Sequence, residues 1–375
     1  MNKNATVIIV VGLLVFFTLG TGFIVMSNSS SDEGELDINI IAKANINGSG
    51  IFAKGKLSIT PGTQEEINAW GGKLFMTPGA SSIQHNMLNK FVTEDLGLKF
   101  VMYTSGSLSP DTVYWIAVAP MNMLNTLKLD DRIEGGFPWE PFFSEIVLTY
   151  PSFETAITSE EMEKNHPCCM VAAKASFLKN NEGAVLRFLT AYTESLDWVN
   201  KALSDLSSGD YINLLKMTSE FTNITDLGIL SAAFSNMTYM YNLVDSSGAE
   251  TLEKYTEKLI KTFESLNIIT KRVNDPAAFA NQFINHTYLD KVLNDKPTFD
   301  ISKRIKIKVG HLAGDIHQIG FVVGMKLNMF SNYGLDITTI MYANGPAVMQ
   351  AFQFGIIDIG ILGLPPAVSG TANFR

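Results

Sequence analysis

Apolar and polar residues alternate at Ile305, Ile307 and Val309, the period of a half-buried strand, and the run breaks at Gly310. A short polar loop follows. The apolar stretch at 316–327 then predicts a helix, stopped by Gly334. Residues 335–341 read as a second strand, and Pro346 opens a second helix in its first turn, where a missing N–H costs nothing. Residues 358–363 read as a short buried strand ending at Pro365 and Pro366. The succession strand–helix–strand–helix–strand predicts half of an open parallel α/β sheet.

The same pattern occurs at residues 73–141. Gly97 and Leu98 correspond to Gly334 and Leu335, Pro120 and Met123 to Pro346 and Met349, and 133–137 to 357–361. Each copy closes on a proline turn. Two copies of a unit about 65 residues long predict two lobes with a cleft between them.

The rest of the chain connects these units. Residues 35–52 open as a strand and end at the turn Asn47-Gly48-Ser49-Gly50, with a returning strand over 52–57 and a capped helical turn over 61–70. Residues 145–149 read as a strand, 152–165 as a polar loop and 166–173 as a buried strand. Helical spacing of Phe177, Val185, Phe188, Tyr192 and Leu196 predicts one helix over 175–203. Residues 211–293 read as mostly helical, and 294–303 as a surface linker.

Residues 5–26 carry no charge, enough to span a bilayer. Lys3 before them and Asp32, Glu33 and Glu35 after them place the N-terminus in the cytoplasm and the remainder outside. Residues 1–31 are therefore expected to be a membrane anchor or signal with its linker, and retention as an anchor is favoured. The formal net charge of −9 argues against a nucleic-acid binder. The two cysteines, Cys168 and Cys169, are adjacent, so they cannot staple distant segments and give no metal-site spacing. Buried packing is expected for them, with a vicinal disulfide as the alternative.

In an open α/β sheet, ligands sit outside the carboxyl ends of the strands. The loop after the first strand of the C-terminal copy supplies Gly310, His311, Ala313, Gly314 and Asp315. Its counterpart supplies Gly79, Ala80, Ser81 and Ser82. Both place small residues before a helix, which predicts free N–H groups and a positive helix end facing an anion. Ser81 and Ser82 either face the ligand or cap the helix. Further walls are expected from Asn47, Gly48 and Ser49, from Trp139 and Glu140, and from Gly363, Leu364 and Pro365. His317 and His85 lie one turn into their helices, either against ligand or buried and hydrogen-bonded. There is no G-x-S-x-G, P-loop or H-E-x-x-H, and no catalytic, metal or cofactor residues are expected.

The segments KVGHLAGDIHQIGFVV, GLDITTIMYANGPAVMQAF, GIIDIGILGLPPAV, ANINGSG, TPGASSIQH, EGGFPWEP and HPCCMVAAKASFL together resemble the substrate-binding proteins of nitrate/sulfonate/taurine-type ABC importers. The resemblance covers 36–203 and 306–375, and it implies a two-lobe, type II periplasmic-binding fold with the loops above lining the cleft. It also implies an extracytoplasmic component that captures a small, sulfonate- or nitrate-like ligand by hinge closure and delivers it to an ABC permease and its ATPase. Alternatives are a thiamine-pyrimidine-synthase-like enzyme and a tethered surface sensor.

The order of segments departs from the family. KVGHLAGD comes first there and last here, so the chain is expected to be circularly permuted or part of a tandem. On that basis lobe 1 is expected to comprise 32–71 and 166–375, with 304–375 equivalent to the family's N-terminal part, and lobe 2 to comprise 72–165.

Overall fold

In the computed structural model, which describes residues 36–244 and 250–375, the alternation at the start of the C-terminal unit becomes a strand that enters the core. It is half-buried at first and fully buried from Val309 to Leu312. The uncharged N-terminal run lies outside the described residues, and among them no helix is long and apolar enough to cross a membrane.

The strands in chain order are β1 (Ile38–Lys43), β2 (Asn45–Asn47), β3 (Gly50–Lys54), β4 (Leu74–Thr77), β5 (Lys99–Met102), β6 (Thr112–Ala117) and β7 (Ile133–Gly136). They continue with β8 (Phe153–Thr158), β9 (Cys169–Lys174), β10 (Met237–Tyr239), β11 (Ile305–Leu312), β12 (Leu335–Tyr342) and β13 (Ile359–Gly363). One sheet has the order β1-β9-β13-β11-β12, and a second has β5-β6-β4-β7-β3-β8. A small ribbon pairs β2 with β10. In the first sheet β11 is parallel to β12 and β13, while β9 is antiparallel to β13 and β1. In the second, β4 is parallel to β6 and β7, and β3 is antiparallel to β7 and β8.

The two copies thus supply adjacent strands of two sheets, with β11 and β4 at interior positions. They differ in one respect: β6, not β5, takes the place beside β4 that β12 takes beside β11. The turn residues Gly97 and Leu98 align with Gly334 and Leu335, and the strands they introduce, β5 and β12, each lie at an outer edge, β5 separated from β4 by β6.

The second sheet is covered on two faces, and the alternation of side chains along β4 shows it. Phe75 of β4 joins the main core, whereas Leu74 and Met76 join a second cluster. Met123 and Leu127 of the Pro120–Leu129 helix and Phe143 and Ile146 of the Phe142–Thr149 helix complete that second cluster.

Several elements differ from the sequence expectation. Phe142–Thr149 is a helix rather than a strand, because Phe142, Phe143 and Ile146 fall on one buried helical face. The polar loop at 152–165 contains β8 and a short helix, Ser159–Met162, whose start is closed by a capping box between Thr158 and Glu161. The helix expected over 175–203 is two, Ala175–Asn180 and Glu182–Ser204, broken at Asn181. The 50–54 stretch, expected in the first lobe, is β3 of the second sheet. The chain therefore leaves the first sheet at 47–50 rather than near 71, and returns between Met162 and Cys169.

Candidate functional site

A cavity of about 750 Å³ lies between the sheets, lined from both. From the second sheet come Pro78 to Gln84, with Ala117 and Trp139. From the first come Leu312, Asp315 and His317 after β11, Asn344 to Pro346 after β12, and Gly363 and Pro366 at the end of β13. Because β9 runs antiparallel to β13, its start lies at the same edge, which brings Cys168 and Cys169 to the wall. A turn after the Leu252–Ser265 helix adds Leu266, Asn267 and Ile268.

The two matched loops are built differently. In the second-sheet loop, the Ser82 hydroxyl accepts from the His85 N–H and caps the Ile83–Lys90 helix. The first-turn N–H groups of Ile83 and Gln84 have no acceptor within the helix. The Gln84 amide donates to the Ser49 hydroxyl at 2.8 Å, which ties this loop to the crossing between sheets.

In the first-sheet loop the donors are used internally. Asp315 accepts from the His317 N–H at 3.0 Å and from the Gln318 amide at 3.1 Å, and its carboxylate lies 2.8 Å from His317 Nδ1. The Leu312 N–H donates to the Gln318 side chain, and the Ala313 N–H to the Tyr342 carbonyl. The opposite ring nitrogen of His317 donates to the Gly48 carbonyl at 2.9 Å. That carbonyl also accepts from the Glu140 N–H. Gly48 has φ +95, and a Cβ there would lie 2.3 Å from His317 Nε2, so only glycine fits beneath the ring.

Both His317 nitrogens thus act as donors, and Asp315 and His317 are each 1 % exposed. Burial pulls the His317 pKa down. The negative charge of Cys168 and Asp315, with the bonds to Asp315 and Gly48, outweighs it and lifts the value to about 10. The Cys168 thiol is lowered, chiefly by a hydrogen bond from Cys169, whereas Cys169 is raised by that same bond and by burial. Both cysteines are free. Cys168, Cys169 and His317 bring one ligating atom each to within 4.8 Å of one another. A metal there would have to displace His317 from Gly48 or Asp315, since neither ring nitrogen is free.

Residues 6–205, just over half of the chain, match the model of a family described as NMT1-like. The chain belongs to the NMT1-like family. No curated protein matches this NMT1-like chain by sequence. Among solved structures it is similar to the periplasmic nitrate-binding protein NrtA from Synechocystis PCC 6803, with 14 % identity, TM-score 0.50, and coverage of 71 % of this chain and 70 % of that one. It is also similar to the ligand-binding component of an ABC-type import system from Staphylococcus aureus, solved with zinc bound, with 15 % identity, TM-score 0.46, and coverage of 68 % and 74 %. A third is the periplasmic aliphatic sulphonate binding protein SsuA from Escherichia coli, with 11 % identity, TM-score 0.48, and coverage of 67 % and 70 %. The NMT1-like protein therefore has the mixed α/β fold of periplasmic binding proteins.

Of the residues expected at the site, Gly79, Ala80, Ser81 and Ser82 line the cavity, as do Trp139, Asp315, His317 and Gly363. The others lie elsewhere. Gly310 and His311 are inside β11, because the strand runs on to Leu312. A Cβ on Gly310 would meet Ile357 and Tyr342, and the His311 ring packs against Phe221 and Phe321. Burial lowers the His311 pKa to about 4. Ala313 is held by its bond to Tyr342, Gly314 packs against Phe142, and Leu364 and Pro365 are buried at their helix start.

Asn47, Gly48 and Ser49 form the crossing between sheets rather than a cleft wall. Glu140 is fully buried and accepts from the Ser144 N–H and hydroxyl and from the Asn236 amide, so it joins the halves instead of facing a ligand. Burial raises its pKa. His85 lies behind the loop, bonded to Thr77 and packed on Trp115. Three parts of the wall, Cys168–Cys169, the Asn344–Pro346 loop and the Leu266–Ile268 turn, are absent from the sequence expectation. The first two have a sequence signal in the HPCC and YANGP segments, and the third has none.

Proposed function

We propose that this NMT1-like protein is the extracytoplasmic solute-binding component of an ABC importer, which captures a small ligand between two lobes. The observation that carries the reading is the shared cavity: the loop after β4 and the loop after β11, matched in sequence, line it from opposite sides. The lobes are the two sheets with their helices, joined by the crossings at 47–50 and 162–169. The Asn47–Ser49 crossing, where Asn47 and Gly48 both have positive φ, is the hinge in this reading. Ligand bonds to both loops stabilise the closed arrangement. The N-terminal segment holds the globular part at the outer face of the membrane, where it docks on a permease and its ATPase.

A circularly permuted order supports the same architecture. Asp37 and Ile38, at the start of the first sheet, border the same small cavity as Thr371 and Phe374 at the end of the last helix. A join between these ends would restore the order of the importer proteins the sequence resembles. An anionic ligand, sulfonate- or nitrate-like, draws its support from the open first turn of the Ile83–Lys90 helix. Calorimetric titration of the full chain against taurine, alkanesulfonates, nitrate and pyrimidines is expected to give a micromolar or tighter ligand. Silence across the panel would contradict the reading.

The thiols beside His317 favour one other reading, a thiamine-pyrimidine-synthase-like enzyme. Iron-dependent consumption of pyridoxal phosphate would support it, and none is expected.

A further inference from the structure

Nothing in the solute-binding reading uses the two cysteines, yet they stand at the cavity beside Asp315 and His317. They are 2 % and 3 % exposed, so a small molecule reaches them through the cavity and a large one does not. Consecutive residues of a strand point to opposite faces. Cys168 comes just before β9, however, and its sulfur stays beside that of Cys169. The two sulfurs and a His317 ring nitrogen lie within 4.8 Å of one another. The Cys169 sulfur is also 3.9 Å from an Asp315 oxygen. The backbone is held on both sides: both cysteine N–H groups donate to Asn45, and their carbonyls accept from Leu364 and Ala44.

The neighbours divide the labour between the thiols. The hydrogen bond from Cys169, with the His317 cation, draws Cys168 below the ordinary thiol value against the effect of burial. That same bond and burial raise Cys169, which keeps its proton. A thiolate beside a protonated thiol is the arrangement of an attacking and a resolving cysteine. On the reading above, the globular part lies outside the cytoplasm, where disulfides form and persist. With Cys168 as thiolate, this side of the cavity carries two negative charges, Cys168 and Asp315, against one positive, His317. It repels the anion that the start of the Ile83–Lys90 helix attracts. A disulfide removes one negative charge and leaves Asp315 and His317 balanced.

We propose that Cys168 and Cys169 form a redox-active pair whose oxidation to a vicinal disulfide raises the affinity of the cleft for an anion. This rests on the solute-binding reading above and adds what governs its affinity. The oxidant is hydrogen peroxide, which is small enough for the cavity. The Cys168 thiolate attacks one peroxide oxygen and the O–O bond breaks; with one proton taken up, the products are a sulfenic acid and water. The Cys169 sulfur then attacks Cys168. Its proton leaves with the sulfenic hydroxyl as a second water, and the S–S bond forms. Two electrons pass from the thiols to the peroxide.

The full chain, reduced with TCEP, tests this after treatment with hydrogen peroxide and removal of the excess by catalase. Peptide mapping by mass spectrometry should show the loss of two hydrogens between Cys168 and Cys169. Calorimetry with ethanesulfonate should show ~10-fold tighter binding after oxidation, the equivalent of one pKa unit of charge interaction. TCEP should return the affinity to its starting value, which separates the disulfide from methionine oxidation. Cys168→Ser removes the thiolate without oxidation. Untreated, it should bind ethanesulfonate as tightly as the oxidised wild type, and peroxide should leave it unchanged. Cys169→Ser should stop at a Cys168 sulfenic acid that dimedone traps. A chain that forms no disulfide between these cysteines, or binds ethanesulfonate equally when reduced and oxidised, would overturn the proposal and leave the solute-binding cleft in place. Binding of ethanesulfonate in neither state would remove the coupling together with the anion reading beneath it.

Discussion

The loop after β4 and the loop after β11 begin from the same pattern, a strand, small residues and a helix, and end in opposite states. The first leaves the N–H groups of Ile83 and Gln84, two residues that line the cavity, without an acceptor inside their helix. The second closes on its own carboxylate, with Asp315 held by His317 and Gln318. A repeat predicts where two helix ends go, but the side chain at the cap decides whether such an end still binds anything. Ser82 caps with a neutral hydroxyl, whereas Asp315 caps with a charge that must itself be neutralised.

The largest expected effect follows from removing that charge. Asp315→Ala leaves a protonated His317 buried without its counterion, and breaking a buried pair costs ~3–5 kcal/mol. Urea denaturation should show a loss of this size, and a loss below about 1 kcal/mol would mean the first-sheet loop is not held as described. The matching change in the other loop is milder: Ser82→Ala removes a neutral cap and should cost about 1 kcal/mol.

The histidines sharpen the contrast through pH. His317 has a folded pKa of about 10, above its unfolded value near 6.5. Its contribution is complete below pH 6.5 and is lost as pH rises through 10. His311 has a folded pKa of about 4, below the unfolded value, so its contribution is present above pH 6.5 and is lost as pH falls through 4. His317→Gln should flatten the alkaline limb of a stability–pH curve, and His311→Phe the acidic limb. The smallest effect separates two adjacent serines: Ser81→Ala should leave stability within ~0.5 kcal/mol and change only ligand binding, since Ser82, not Ser81, caps the helix.

Much of this frame is legible in the chain. The alternation at Ile305, Ile307 and Val309, the prolines at 120 and 346, and the recurrence of the whole unit predict both sheets. Where strands end is less legible. Gly310 reads as the break of β11, but glycine in a central strand is also what close packing against Ile357 and Tyr342 demands, so the strand runs two residues further. That shift moves Gly310 and His311 from the cleft into the core. Cys168 and Cys169 are expected to be buried, and they are. Their place at the cleft depends on β9 pairing antiparallel with a strand nearly two hundred residues away, which local pattern does not encode. The 145–149 segment reads as a strand and folds as a helix because a short apolar run fits a strand or a buried helix equally well.

The central claim is that both sheets present their loops to one solute in one cavity. Crystals of the full chain grown with 2-bromoethanesulfonate test it through the anomalous signal of bromine. The account predicts a single bromine peak between Ser81 and Gly363, two residues that line the cavity from the two sheets. A peak on the outer surface, or a cavity that stays free of bromine at saturating concentration, would contradict it.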